Sequence, residues 1–209
     1  MSNIYLTSDP HYWHRRVILY CNRPFASDEE RKSEKVSEES VRDMNVTLMN
    51  YYNQTVSNDD TVYILGDFAF CGVKKAEEIL RELKGHKVLI QGNHDWHIKP
   101  HRWLDIGFEK VLNTLTIEQG GYRFRMSHFP YKSHNVDKRS YDEQLIDDGD
   151  PNTYLLHGHV HNAWKVSDNK RMINVGVDVH GYRPVKLDDI VKLVEGGSHA
   201  VQQESPRLA

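Results

Sequence analysis

Short runs rich in apolar, β-branched and aromatic residues recur at 3–8 (NIYLTS), 61–66 (TVYILG), 86–92 (HKVLIQG), 110–118 (KVLNTLTIE), 122–127 (YRFRMS), 153–158 (TYLLHG) and 171–177 (RMINVGV). Each is bounded by Gly, Asp, Asn or Pro, and most are continuous rather than alternating, the pattern of strands covered on both faces. Between them helical spacing occurs at 15–20, at Val41, Met44, Leu48 and Tyr52, and at 74–83. This alternation constrains the chain to an α/β domain. The Gly120-Gly121 pair between two strand candidates reads as a hairpin turn, so mixed rather than wholly parallel sheets are expected. The charged stretch before Val41 predicts a solvated helix start with Ser27 as its N-cap. Residues 195–209 hold too little apolar matter to pack, which predicts a single domain over 1–194 and a loose tail after it.

A chain of 209 residues suffices for one core without covalent staples. Its two cysteines, Cys21 and Cys71, lie beside apolar or aromatic residues and show no framework spacing, so reduced, buried thiols are expected. The N-terminus MSNIYLTSDP has no basic segment and reaches Asp9 too early for a signal peptide, and no apolar run approaches the ~20 residues of a membrane span. A cytoplasmic protein with no membrane partner is the expectation. A formal charge of −3 gives no global reason to bind a polyanion, which leaves nucleic acid possible but unindicated; the oligomeric state is open.

Thirteen histidines matter for where they fall. Five of the strand candidates are followed at once by residues able to bind a metal: Asp9 and His11; Asp67; Asn93, His94 and Asp95; His128; His159 and His161. In open α/β sheets the crevice beyond the carboxyl ends of the strands is where ligands bind, so these side chains are expected to meet. In Asp9-Pro10-His11 and His159-Val160-His161 the ligand types stand two apart, which in extended backbone points both the same way. Taken singly, a strand-end Asp is more often a turn former and a lone His a hydrogen-bonded surface or core residue. All five blocks in one position relative to their strands predict a metal site.

The ordered set Asp9-x-His11, Gly66-Asp67, Gly92-Asn93-His94-Asp95, Ser127-His128 and Gly158-His159-x-His161 resembles the calcineurin-like metallophosphoesterase superfamily over about residues 1–180. Stretches such as TSDPHYWHRRVILYCNRPF, YILGDFAF, GNHD, LHGHVH and NVGVDV are similar to its small bacterial and phage phosphoesterases. The resemblance implies a four-layer α/β/β/α sandwich of two mixed sheets with two divalent metal ions at one end. By matching position, Asp9, His11, Asp67 and His161 would hold one ion and Asp67, Asn93, His128 and His159 the other, with Asp67 bridging. His94 matches the residue that assists at the substrate oxygen, and Asp95 the residue that orients it. Phe68-Ala69-Phe70 departs from relatives that carry a further Asp and Arg there, and Asp9-x-His11 has Pro in its middle. Neither removes a ligand, but the substrate is left open.

Two divalent ions lower the pKa of a bound water and clamp the attacking and leaving oxygens of an in-line displacement. The expected activity is therefore hydrolysis of phosphomonoesters or phosphodiesters, small-molecule or nucleotide, by attack of a metal-bound hydroxide. Two carboxylates against two dications leave net positive charge for phosphate, and the imidazoles select transition metals such as Mn, Fe, Zn or Ni over Ca; two divalent transition-metal ions are expected, manganese before the others. A nuclease of the same superfamily and a non-catalytic scaffold of the same fold are the alternatives. His157 reads as hydrogen-bond support rather than a ligand, as do Asn174 and Asp178. His14 and Arg15 read equally as phosphate contacts and as the start of a helix. Lys132, Lys138 and Arg139 in the polar stretch 131–150 read equally as substrate contacts and as solvated loop, and Trp13, Trp96 and Trp164 as pocket wall or core.

Overall fold

Nine strands form two sheets in the structure, a computed structural model that describes residues 2–131 and 149–202. The first sheet runs β4 (Lys110–Leu112), β3 (His86–Ile90), β2 (Thr61–Ile64), β1 (Ile4–Thr7) and β9 (Val185–Lys186), parallel except for β9. The second runs β5 (Thr114–Gln119), β6 (Tyr122–Ser127), β7 (Thr153–His157) and β8 (Met172–Asn174), with β5 antiparallel. Both sheets are mixed, as expected, and the α/β sandwich is that of the metallo-dependent phosphatases.

Alternation along each strand divides the core. Val62, Ile64 and Leu89 face the helices α1 (Val17–Tyr20), α3 (Glu38–Thr55), α4 (Val73–Glu82) and α5 (Pro100–Asp105), packing against Val41, Met44, Leu48, Ile79 and Trp103. Their neighbours Leu6, Leu65 and Ile90 face the second sheet and meet Phe124, Met126, Leu156 and Ile173. Leu155 and Met172 turn outward to Tyr131 and Trp164. Period two thus sends adjacent apolar residues to opposite faces, which is why the runs are continuous.

The run KVLNTLTIE does not form one strand. It bends at Asn113, and β4 closes the edge of the first sheet while β5 opens the edge of the second. Gly120 and Gly121 form the β5–β6 turn with φ of 61° and 82°, the left-handed pair that a two-residue hairpin favours. Past the expected boundary at 194, α6 (Leu187–Gln202) runs on to 202, the last described residue. Leu187, Ile190, Val191 and Val194 anchor its first turns in the inter-sheet core, and a nucleated helix propagates at little cost. Cys21 and Cys71 are both free thiols; Cys21 is buried, but Cys71 is only half-buried. Among the described residues no helix is long and apolar enough to cross a membrane. Lys132, Lys138 and Arg139 lie outside the described residues.

The charged stretch before Val41 is two capped helices. Ser27 accepts from the Glu30 amide at the start of α2 (Asp28–Ser33), and Ser37 accepts from the Ser40 amide at the start of α3. The Glu30 carboxylate serves both ends, accepting from the amides of Ser27 (2.7 Å) and Ser37 (2.6 Å) and from Ser40 Oγ (2.9 Å). Hydrogen bonds from Ser37 and Ser27 pull its carboxyl down from 4.5 to about 2. A depressed carboxyl contributes stability that is complete above its unfolded pKa and lost as pH falls through its folded one. Glu30→Gln is therefore expected to lower the urea midpoint above pH 4.5 and to flatten its decline between pH 4.5 and about 2. Superimposable midpoint-versus-pH curves for the two proteins would show that the shared cap contributes nothing.

Candidate metal centre

Three parallel neighbours, β1, β2 and β3, bring Asp9, Asp67 and Asn93 side by side past their carboxyl ends, and β6 and β7 bring His128, His159 and His161 from the facing sheet. The loops remain paired beyond the strands. Asp9 donates its amide to the Gly66 carbonyl, His11 to that of Asp67 and Tyr12 to that of Phe68 (3.1, 3.1 and 3.0 Å). Gly158 donates to the His128 carbonyl at 3.0 Å. A Cβ on Gly158 would overlap Ser8 Oγ and Asp9 Oδ2, so only glycine lets this backbone approach so closely.

The ligand types do not share a side because their backbone is extended. Asp9, His11, Asp67, His159 and His161 have φ of 56°, 51°, 53°, 70° and 48°, left-handed values that cost an L-residue about 1–2 kcal/mol each. Alternating left-handed residues, Asp9 then His11 and His159 then His161, turn each loop so that both side chains enter one cavity. Such conformations persist only where the surroundings over-determine them.

At the centre, Asp67 Oδ2 lies 3.5 Å from His11 Nε2 and 3.5 Å from His128 Nε2. His11 Nε2 is also 3.9 Å from Asp9 Oδ1. Ligand atoms of Asp9, His11 and His161 lie within 4.8 Å of one another, as do those of Asp9, Asp67 and His128. Asn93 Oδ1 and His159 Nδ1 each lie 3.2 Å from His128 Nε2. All seven expected ligands thus lie together in one cluster.

The donor chemistry fits cations. His128 Nδ1 faces the Leu65 carbonyl at 2.8 Å and carries a proton, so in the neutral ring Nε2 holds the lone pair, turned toward the Asn93 and Asp67 oxygens. Lone pairs converging in a dry site repel unless a cation stands among them. His161 Nδ1 likewise faces Asp178 Oδ2 at 3.2 Å, which frees its Nε2, and His11 Nε2 is buried with no hydrogen-bond partner. Burial pushes the Asp67 carboxyl up to about 7, with Asp95 and Asp9 adding to the shift and His128 opposing it. Burial holds His11 well below its usual value; His128 is raised because Asp67 and Asp9 outweigh its burial.

Asp95 does not orient the His94 ring. Its buried carboxylate accepts the amides of Asp67 (2.8 Å), Phe68 (2.9 Å) and Gly92 (2.8 Å), fastening the β2 loop to the β3 loop. This correction follows from the turn at 92–95, where three N–H groups left over at the loop ends claim the carboxylate. His94 donates its amide to Asp67 Oδ1 at 2.9 Å and leaves its ring half-buried beside His11, His14 and Phe70. His14 Nδ1 lies 3.3 Å from His11 Nδ1, so it orients a ligand rather than standing ready for phosphate. Arg15 turns away to the Val36 carbonyl and Glu38. His157 points out of the cavity, as expected, with Nδ1 on the Gly158 carbonyl and its ring against Trp164.

Arg23 escaped the sequence reading because a lone Arg before Pro has no periodic or ligand signature. It is fully buried, donating to Asp178 Oδ1 and Oδ2 (2.8 and 2.9 Å) and to the carbonyls of Asp9 and Pro10 (2.8 and 2.9 Å). One guanidinium therefore holds the Asp9–His11 turn and, through Asp178, His161. Asn174 adds bonds from Nδ2 to the carbonyls of His161 and Trp164, both 2.8 Å. Arg23→Met leaves Asp178 buried without its cation and is expected to cost about 3–5 kcal/mol in urea unfolding. A loss under 1 kcal/mol would mean that the pair is dispensable.

Comparison with known proteins agrees with this geometry. The profile of the calcineurin-like phosphoesterase family matches residues 2–193. An uncharacterized protein of Methanocaldococcus jannaschii is 36% identical over 204 residues, covering 94% of each chain. The gene 66 protein of Mycobacterium phage L5 is 33% identical over 216 residues, covering 93% of this chain and 95% of the phage protein. A solved structure of a protein of unknown function from Aquifex aeolicus shares the fold, with a TM-score of 0.62 and 24% identity over 92% of this chain and 100% of that one. The chain belongs to the calcineurin-like phosphoesterase family and is a metal-dependent hydrolase of phosphoric ester bonds.

Proposed function

We propose that the protein is a two-metal phosphoesterase acting on small phosphate esters or nucleotides. Asp9, His11, Asp67 and His161 would hold one divalent ion, and Asp67, Asn93, His128 and His159 the other. The observation that carries this is the placing of Asp67 Oδ2 at equal distances, 3.5 Å, from His11 Nε2 and His128 Nε2, the position of a bridging carboxylate. Five imidazole or amide donors with two carboxylates suit a divalent transition ion such as manganese, iron, zinc or nickel rather than calcium. Bound ions supply Lewis acidity toward phosphoryl oxygens and make a water acidic enough to attack near neutral pH.

The chain's own residues set up the rest. Asp9 and Asp67 are almost fully buried, so bulk water has little access to their carboxylates. His94 stands at the edge of the ligand cluster, its pKa lowered by burial and then by His128. An imidazolium that has taken its proton from solvent can give it to the leaving-group oxygen as the ester bond breaks, and the neutral ring can set its one N–H against a phosphoryl oxygen. Asp95 acts through backbone, fixing the loops that carry Asp67 and His94. The free thiols of Cys21 and Cys71 suit a reducing, cytoplasmic setting.

The test pairs metal analysis with hydrolysis of p-nitrophenyl phosphate and its bis ester after manganese loading. Wild type should hold about two ions per chain and lose activity to a chelator, with recovery on adding manganese back. Asp67→Asn should lose bound metal and activity together. His94→Ala should keep its metal and lose about 100-fold or more in kcat. Full turnover by Asp67→Asn, or a wild type that binds no transition ion, would sink the reading.

A further inference from the structure

Beside the metal centre a cleft of about 330 Å³ opens between the turn after β1, the start of α3 and the loop that leads from β2 into α4. Trp13, Arg15, Glu38, Phe70 and Lys75 line it. Its volume lies at the lower end of small-molecule pockets.

Phe70 belongs to both places. Its ring stacks on His14 with centroids 4.3 Å apart and planes at 19°, and meets the His94 ring edge-on at 5.4 Å. It is nonetheless 49% exposed. Its backbone is fixed, because the Phe70 amide donates to the Tyr12 carbonyl at 2.7 Å and the adjacent Ala69 bridges to Tyr12. Trp13 is fixed too. It adopts a left-handed φ of 66° with its amide on Asn45 Oδ1 at 3.0 Å, and the Lys75 ammonium stands 4.0 Å from its ring centroid. Lys75 has no carboxylate within ion-pair distance among the described residues, whereas Arg15 is tied to Glu38. A water-exposed aromatic ring on rigid backbone, at the shoulder of the proposed acid and next to the Lys75 ammonium, matches a planar, electron-rich group attached to phosphate.

Resting on the phosphoesterase reading above, we propose that this cleft is a specificity subsite for an aromatic substituent of the ester, received flat on Phe70 with Lys75 facing its polar edge. A plain aryl group and a nucleobase share that chemistry. Phosphorus at the ligand cluster would place the substituent across His14 and His94 toward Phe70, and aliphatic esters would leave the shelf uncovered.

Calorimetric titration of the manganese-loaded protein with phenyl phosphate, adenosine 5′-monophosphate and inorganic phosphate tests this. The aromatic esters should bind about tenfold more tightly than inorganic phosphate, the scale of one aromatic stack with its buried area. In Phe70→Ala that gap should close, and in Phe70→Tyr it should persist, which separates loss of the ring from loss of fold. Lys75→Ala should weaken adenosine 5′-monophosphate more than phenyl phosphate if a nucleobase is the natural occupant, and both equally if a plain aryl group is. An equal gap in wild type and Phe70→Ala, or no gap in wild type, overturns the proposal. Phe70-dependent binding without hydrolysis of any ester would fail the phosphoesterase reading and leave the subsite standing. Hydrolysis without aromatic preference would do the reverse.

Discussion

Asp9 and Asp67 are buried carboxylates that share one cavity, and the surrounding structure answers to the cost of keeping them there. Among the described residues no Lys or Arg side chain touches either carboxylate; what reaches them are backbone amides and imidazoles. Water is excluded, so solvation cannot offset the charge, and an unpaired buried anion is among the most expensive groups a protein can carry. A cation centre is the resolution consistent with the converging lone pairs of His11, His128 and Asn93. The folding of this end of the molecule and its capacity for phosphate chemistry are thus one electrostatic problem.

Two other charged side chains hold the strained loops in place, and they are complementary. The Asp95 carboxylate gathers three amides from the β2 and β3 loops, while the Arg23 guanidinium gathers two carbonyls from the β1 loop and both oxygens of Asp178. An anion takes the orphaned N–H groups and a cation takes the orphaned C=O groups, as buried backbone requires. Left-handed Asp9, His11 and Asp67 are held by this anchoring, since such conformations persist only where the surroundings over-determine them. His161 is drawn into the same network through Asp178, which fixes the tautomer that leaves Nε2 toward the cavity.

Both sheets deliver ligands, which explains the depth of the centre. Leu6, Leu65 and Ile90 pack against Phe124, Met126 and Leu156 immediately below it, so the strand ends cannot drift apart without opening the inter-sheet core. The open side faces His94, His14 and Phe70, where substrate must enter. Rigidity beneath and access above divide the labour between scaffold and site.

Most strand runs, the Gly120-Gly121 turn, the Ser27 cap and the residue types grouped past the strand ends were legible in the chain, because local periodicity and residue type carry them directly. Three things were not. The run at 110–118 reads as one strand, since periodicity does not reveal that Asn113 passes the chain from one sheet to the other. The helix through 195 was hidden by polar composition, because its stability comes from apolar turns upstream. Arg23 and the true partners of Asp95 were invisible because their meaning lies in contacts such as Arg23 to Asp178, 155 positions apart. Sequence alone determined which chemical groups stand at the strand ends, since covalent order fixes that. Only the tertiary structure decided how they converge, because left-handed turns and buried charge are stable solely when distant residues satisfy them.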